Sequence, residues 1–164
     1  MLATSSKTGP GARLLIRFAD ASTLPMGADA ELVLDDMVYN VHGLTEETDH
    51  QAVKFVEGVF RYVSGTIASN SYSDVTVETP VATIGIRGTE FVAGRLTVGM
   101  PPGTSHYGYQ IREGAIEVIA PGGSVTLDAP GEGTFLPFDR IAAPTPVRQW
   151  TDAVAQEADD LLAF

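Results

Sequence analysis

Short apolar runs separated by turn residues are the feature that most restricts how this sequence can fold. Between residues 11 and 138 the runs are about five to eight residues long, and several alternate apolar with polar side chains. Glycine, proline, asparagine or aspartate stands between them, as in strands joined by turns. The 17 glycines and 10 prolines fit many short strands better than helical packing.

The end of the chain has a different period. Its apolar residues are three and four positions apart, which predicts an amphipathic helix over residues 147–162. They are Val147, Trp150, Val154, Ala158, Leu161 and Leu162. This stripe packs either on the chain's own β-domain, with Trp150 as the anchor, or on another protein, as an interaction helix.

We therefore expect an all-β fold, a two-layer or solenoid-like β-structure of many short strands, with one C-terminal amphipathic helix. The expected domains are a β-domain of residues 1–140 and a linker with the helix, residues 141–164, packed on it.

The Arg-Gly-Thr-Glu motif of residues 87–90 places charged residues inside an alternating apolar strand. An isolated buried charge costs on the order of several kcal/mol, so Arg87 is expected to lie under the sheet and to pair with a carboxylate. Glu57 and Glu113 are the preferred partners, because each also stands directly before a strand glycine. Gly58, Gly88 and Gly114 each follow a charged residue, which suggests that these three glycines lie near one another. The predicted structural core motif is Arg87, Gly88, Thr89, Glu90, Glu57, Gly58, Glu113 and Gly114.

Catalytic and metal-binding patterns are weak in this sequence. Glu57, Glu90 and Glu113 could supply the two carboxyl groups of a glycoside hydrolase, but nothing in the sequence fixes their separation. The three histidines, His42, His50 and His106, lack the spacing that places two imidazoles on one face. There is no cysteine. We predict no catalytic residue, no metal and no cofactor.

The charge of the chain excludes several classes of partner. Ten basic and 21 acidic residues give a formal net charge of −11, which repels nucleic acids and anionic lipid surfaces. No apolar run reaches the roughly 18 residues of a membrane helix, and no signal-peptide pattern occurs at the start. We expect no nucleic-acid partner and no membrane insertion by this chain. The segment SSKTGPG, residues 5–11, is interpreted as a frayed terminus.

Four blocks of the sequence together resemble the FecR domain. They are LPMGADAELVLDDMVYN (residues 24–40), FVEGVFRYVSG (55–65), TPVATIGIRGTEFVAG (79–94) and IREGAIEVIAPGGSVTLDAPGEG (111–133). The resemblance covers residues 12–137 in the family's order, and TPVATIGIRGTEF is its most specific part.

The resemblance implies an all-β, non-enzymatic, extracytoplasmic domain. In the founding members this domain is the periplasmic part of a transmembrane regulator that senses a TonB-dependent outer-membrane transporter and controls a sigma factor. This sequence shows no sigma-binding segment, membrane helix or transporter-contacting domain. The family domain usually has one or two strands before the block at residues 11–23, so N-terminal strands are expected to be missing, which would leave an unpaired edge and favour a homodimer.

The function predicted from the sequence is that of a non-catalytic FecR-like domain of a bacterial envelope protein. It would act in protein–protein interaction or signal transduction with an envelope protein as partner, in the periplasm or outside the cell. The alternative is a carbohydrate- or small-ligand-binding module of the envelope. A glycoside hydrolase is the third hypothesis.

Overall fold

The computed structural model describes residues 4–38, 50–65, 75–101, 103–138 and 141–163. The predicted all-β fold with one C-terminal helix is confirmed for this part of the chain, which forms twelve strands and the helix α1 (Asp152–Leu162). The strands are β1 (Thr4–Lys7), β2 (Leu14–Arg17), β3 (Thr23–Met26), β4 (Glu31–Val38), β5 (His50–Glu57), β6 (Val59–Val63), β7 (Val75–Glu78), β8 (Thr83–Leu96), β9 (His106–Ala120), β10 (Gly123–Leu127), β11 (Glu132–Leu136) and β12 (Arg148–Gln149).

All of these strands belong to one hydrogen-bonded sheet. Its order is β1-β4-β5-β7-β8-β6-β3-β2, and β9 pairs with β8 and carries β10 and β11 on its other side, with β12 beyond β11. The β5–β7 pair is parallel and the other pairs are antiparallel.

The two longest strands fold this sheet over on itself. Residues 83–85 of β8 pair with β7, whereas residues 90–94 pair with β6. In the same way, the start of β9 pairs with β11 and its end pairs with β10. The register between β8 and β9 shifts between Arg87 and Glu90, where both strands bend. The result is one curled, half-barrel sheet in which β8 and β9 pair with different strands at their two ends.

The core lies inside this curled sheet. Phe55 of β5 contacts Phe60 of β6, with ring centroids 3.9 Å apart, and Phe60 meets Phe91 of β8 edge-on at 5.8 Å. All three rings are fully buried. Leu24, Leu32, Val77, Ile84, Ile111 and Ile116 belong to the same cluster. One apolar core therefore joins the two halves of the curled sheet.

A buried chain of polar side chains crosses the same interior. The Tyr62 hydroxyl donates to Oε1 of Gln51 at 2.6 Å, and Nε2 of Gln51 donates to Oγ of Ser22 at 3.4 Å. Ser22 in turn donates its hydroxyl to Asp20 at 2.6 Å. Each of these residues is at most 1% exposed. Because burial disfavours the phenolate, the pKa of Tyr62 is raised well above its usual value. This row of hydrogen-bonded side chains links β6 to β5 and to the loop before β3.

Two boundaries differ from the sequence predictions. The segment interpreted as a frayed terminus contains residues 5–7 of β1, which pairs with β4 from Thr4↔Leu34 to Lys7↔Glu31. The C-terminal helix begins at Asp152, because Thr151 is its N-cap and accepts a hydrogen bond from the Val154 N–H at 3.5 Å. Arg148 and Gln149 instead form β12 against β11, so the predicted helix over residues 147–162 was five residues too long at its start.

We expect the close packing at the bend to make Gly114 intolerant of a side chain. Its φ is +79°, and an added Cβ would collide with the Gly88 carbonyl oxygen. Gly99 is a matched control, because its φ is +80° and an added Cβ there has nothing within 4 Å. Left-handed backbone strain of about 1–2 kcal/mol applies to both alanine variants. Gly114→Ala should cost about 1–3 kcal/mol more, because of overpacking.

Urea unfolding with an unchanged m-value measures this difference. Equal midpoints for Gly114→Ala and Gly99→Ala would show that the close approach of β8 and β9 at the bend contributes nothing.

Candidate functional site

The bend of β8 and β9 contains the Arg-Gly-Thr-Glu motif, and Thr89 makes its hydrogen bonds. The Thr89 N–H donates to Oγ of Ser64 at 2.8 Å, and the Thr89 hydroxyl donates to the Glu113 carbonyl oxygen at 2.6 Å. The Ser64 N–H returns a bond to the Thr89 carbonyl oxygen at 2.9 Å. Thr89 is 4% exposed. This residue therefore ties the bend in β8 to both β9 and the end of β6.

The predicted buried carboxylate partners of Arg87 are not buried. Glu57 and Glu113 are both exposed, which corrects the expectation that either lies under the sheet. The side chain of Arg87 itself lies outside the described part of the structure. Glu90 is directly opposite Glu113 and forms an ion pair with Arg61 at 3.5 Å, with both partners partly exposed. An exposed pair of this kind contributes little to stability.

Two of the three glycines predicted to be neighbours do meet. Gly88 and Gly114 face each other at the bend, so close that a Cβ on Gly114 would collide with Gly88. Gly58, with φ +93°, lies elsewhere: an added Cβ would be 2.5 Å from the Ala30 Cβ. The carbonyl oxygen of Gly58 also lies where a Cβ of Gly94 would be, at 2.7 Å. The β5–β6 turn is therefore a separate close approach.

Helix α1 packs on the outer face of β6 and β8. Its two buried residues, Val154 and Ala158, form one apolar cluster with Val59, Val92 and Leu96, which we call the helix-contact surface. Trp150 and Leu162 pack around this cluster. The C-terminal end of the helix reaches β3, where the Leu161 carbonyl oxygen lies against Gly27. Val154 and Ala158 of the predicted apolar stripe are thus covered by the chain's own sheet.

Polar contacts fix the other side of the helix. Glu157 accepts hydrogen bonds from the Thr97 N–H at 2.9 Å, the Thr97 hydroxyl at 2.7 Å and the Val98 N–H at 2.9 Å. Burial alone would raise the pKa of Glu157, but these donors outweigh it and hold the pKa below its usual value. Arg112 of β9 pairs with Asp159 at 2.8 Å, and Arg13 donates to the Ala163 carbonyl oxygen at 3.0 Å.

Trp150 occupies a slot that two glycines leave open. An added Cβ on Gly108 would be 2.8 Å from the indole Cζ2, and one on Gly133 would be 2.5 Å from Cδ1. The indole stacks on Phe135 with centroids 5.2 Å apart, and Phe135 stacks on His106 at 4.0 Å. Neutral imidazole suits this apolar surrounding, since burial lowers the pKa of His106 although the charge of Glu157 opposes the shift.

The structure therefore separates the residues predicted for the interaction helix. Val154, Leu161 and Leu162 lie in α1, whereas Val147 and Trp150 precede it and are not helical. Val147 packs against the main core, and Trp150 packs beside the helix-contact surface. Leu161 is 38% exposed and is the member of the set that faces solvent.

The described residues do not assemble a metal centre. No group of three or more histidine, cysteine, aspartate or glutamate side chains among them could hold a metal ion. His50 lies in β5 and His106 in β9, while His42 lies outside the described residues. Of the three candidate acids, Glu90 is engaged by Arg61.

Sequence reasoning missed Gly108, Gly133 and Glu157. The two glycines could have been found from their place, since a glycine inside a strand indicates close approach of another group. Glu157 gave no such signal, because a charged residue on the polar side of an amphipathic helix is expected to face solvent.

Comparisons with known proteins give one matching family model and two solved structures of similar fold. The family model described as FecR protein matches residues 4–117. Two crystal structures of a candidate anti-sigma factor from Parabacteroides distasonis ATCC 8503 have a similar fold, with a TM-score of 0.66 and 14% sequence identity in each case. They cover 95% and 96% of this chain, which spans 63% and 64% of theirs. None of the curated proteins matches. No helix in the described residues is long and apolar enough to cross a membrane.

We expect Glu157→Gln to weaken the attachment of α1. The variant loses the charge that strengthens three hydrogen bonds, at a cost of about 1–2 kcal/mol after allowance for solvent screening. Asp160→Asn is the control, because it removes the same charge from an exposed site on the same helix.

The pH dependence of this stability difference follows from the direction in which the pKa of Glu157 is shifted. A lowered folded pKa gives stability that is present above the unfolded value of 4.5 and is lost as the pH falls through the folded pKa. The stability difference between wild type and Glu157→Gln should therefore shrink below pH 4.5 in urea unfolding. A difference that stays constant with pH would contradict the role of the carboxylate.

We also expect Gly133→Ala to displace the indole of Trp150. This is the chain's single tryptophan, so its fluorescence reports on the slot directly. Gly85→Ala is the control: Gly85 also lies in a strand, but its nearest neighbour would be 3.9 Å from an added Cβ. The emission maximum should move to longer wavelength in Gly133→Ala and stay unchanged in Gly85→Ala. Identical spectra for wild type and both variants would show that a side chain at residue 133 does not displace the indole.

Proposed function

This chain belongs to the FecR protein family, and on that basis we propose that it is a non-catalytic module of the bacterial envelope that transmits a signal through protein contacts. The match over residues 4–117 carries the proposal, because it includes the bend, the β5–β6 turn and most of the core. The fold shared with the candidate anti-sigma factor supports a regulatory role. A periplasmic location accords with the envelope association of this family.

The distribution of polar groups supports a role without catalysis. Thr89, Glu157 and Arg112, which lie at the bend and around α1, each bond to neighbouring segments of the chain. Their contacts hold strands and helix together, so each has a structural reason to be present. The exposed Glu57 and Glu113 have no such role in the described contacts, and they are the residues on which a catalytic alternative depends.

Sheet edges offer a route for a protein partner. In the described part of the chain, β1 and β2 end the strand order, and β10 pairs with β9 alone. Leu15 of β2 and Ile119 of β9, beside β10, are large apolar side chains that are 40% and 44% exposed. Addition of a partner strand at such an edge is a common mode of recognition, and a second copy of this chain could use it too. The net charge of −11 disfavours nucleic acid as the partner.

Deleting the gene in its native bacterium and measuring all transcripts tests this function. We expect a restricted set of transcripts to change and to return when the wild-type gene is restored. The double variant Glu57→Gln, Glu113→Gln should restore them equally well, because neither exposed carboxylate is needed for protein contacts. Loss of restoration in a stable double variant would favour chemistry at the glutamates, and an unchanged set of transcripts after deletion would contradict a signalling role.

A further inference from the structure

A cleft beside the β8–β9 turn is not explained by the packing of the fold. Its volume is about 500 Å³, within the usual range for ligand sites of roughly 300–1,000 Å³. The walls are mainly apolar, and they come from the end of β8, the turn after it, the start of β9, the end of β11 and the segment after β11. The residues that matter below are Arg95, Ser105, His106, Phe135 and Phe138.

Arg95 gives this cleft a positive charge. Its guanidinium carbon lies 4.1 Å from the centre of the Phe138 ring, and the residue is exposed. Within the described residues Arg95 has no ion pair, and no aspartate or glutamate lines the cleft. Arg95 also borders a second depression that Asp29 and Glu57 line, but in the described part of the chain neither of these carboxylates forms an ion pair with it. The positive charge in the cleft is complementary to a carboxylate that arrives from another molecule.

One polar atom of a residue that lines the cleft lacks a partner. Nε2 of His106 is buried and makes no hydrogen bond in the described part of the structure, and a buried polar atom without a partner is costly. Ser105, the residue before it, also lines the cleft and is partly exposed.

We propose that this cleft binds an extended acidic segment of a protein partner, in which a carboxylate pairs with Arg95 and the adjacent apolar side chain packs on Phe135 and Phe138. The carboxylate would accept from the guanidinium, whose position over Phe138 is already fixed by the cation–π contact. A peptide fits better than a compact ligand because the cleft shares lining residues, Arg95 and Ser105 among them, with a second depression that Thr97 and Gly103 also line. This inference rests on the proposed function, since it names the chemistry of the partner.

The direct test compares two short peptides with the folded full chain. One is acetyl-Gly-Leu-Glu-Phe-Gly amide, and the other has glutamine in place of the glutamate, so that they differ in one charge. Binding is followed by chemical-shift changes in two-dimensional NMR at low salt. The acidic peptide should bind about tenfold more tightly to the wild type, and Arg95→Gln should abolish this preference. Arg95→Lys should keep part of it, because the charge remains but the planar donor pair is lost.

Arg17→Gln is the matched control, since Arg17 is an exposed cation on β2 outside the cleft and its removal changes the net charge equally. Dispersed NMR spectra show that each variant is folded. Equal binding of both peptides, no binding of the acidic peptide at about 1 mM, or an unchanged preference in Arg95→Gln would overturn the proposal. Binding of N-acetyl-glutamate amide as tight as that of the acidic peptide would replace a protein partner by a small acid.

The result is separable from the test of the general function. If the deletion changes transcripts and Arg95→Gln restores them fully, the cleft proposal fails while the signalling role stands. If the acidic peptide binds through Arg95 but the deletion changes no transcript, the cleft stands and the signalling role fails.

Discussion

The bend of β8 and β9 is the constraint on which the rest of this structure depends. These strands pair with different neighbours at their two ends, so the sheet can curl around its core only if both strands turn at the same place. Gly88 and Gly114 allow this because both have positive φ values, and Gly114 approaches the Gly88 carbonyl oxygen too closely for a Cβ of its own. Thr89 then fixes the angle through its bonds to Ser64 and Glu113. The charged motif is thus a motif of backbone geometry in which the small residues carry the structural role.

The C-terminal segment also depends on glycines that allow close approach, here on the outer face of the sheet. Gly108 and Gly133 leave room for the Trp150 indole, and β12 and α1 then lie on either side of it. The polar contacts of Glu157 and Arg112 orient the helix over a small apolar surface. A helix of 11 residues is marginal by itself in water, so it is these contacts that keep it folded. Any partner that needed the apolar face of α1 would first have to displace it.

The sequence predicted the fold class and the family well, and it predicted the burial of charged side chains poorly. Alternation and turn residues are local, which is why the many short strands of an all-β fold could be anticipated. The start of the helix was missed because Val147 and Trp150 keep helical spacing while their backbone is held by β11 and the core. The pairing of Arg87 with Glu57 or Glu113 assumed that a charge in an apolar run points inward. Strands have two faces, and both glutamates proved to be exposed.

Local sequence patterns do not show contacts between distant residues, which is why none of them indicated the cleft. Arg95 and Phe138 are 43 residues apart in the chain, and they meet only because β11 pairs with the start of β9 and returns the chain to the end of β8. On the inner side of β8, Phe91 and Ala93 are fully buried, and Arg95 is the next residue in that alternation, at the end of the core. A cation there stacks on the last aromatic ring of the core and keeps its charge in solvent. Such a position closes the apolar interior and at the same time presents the guanidinium to an approaching anion.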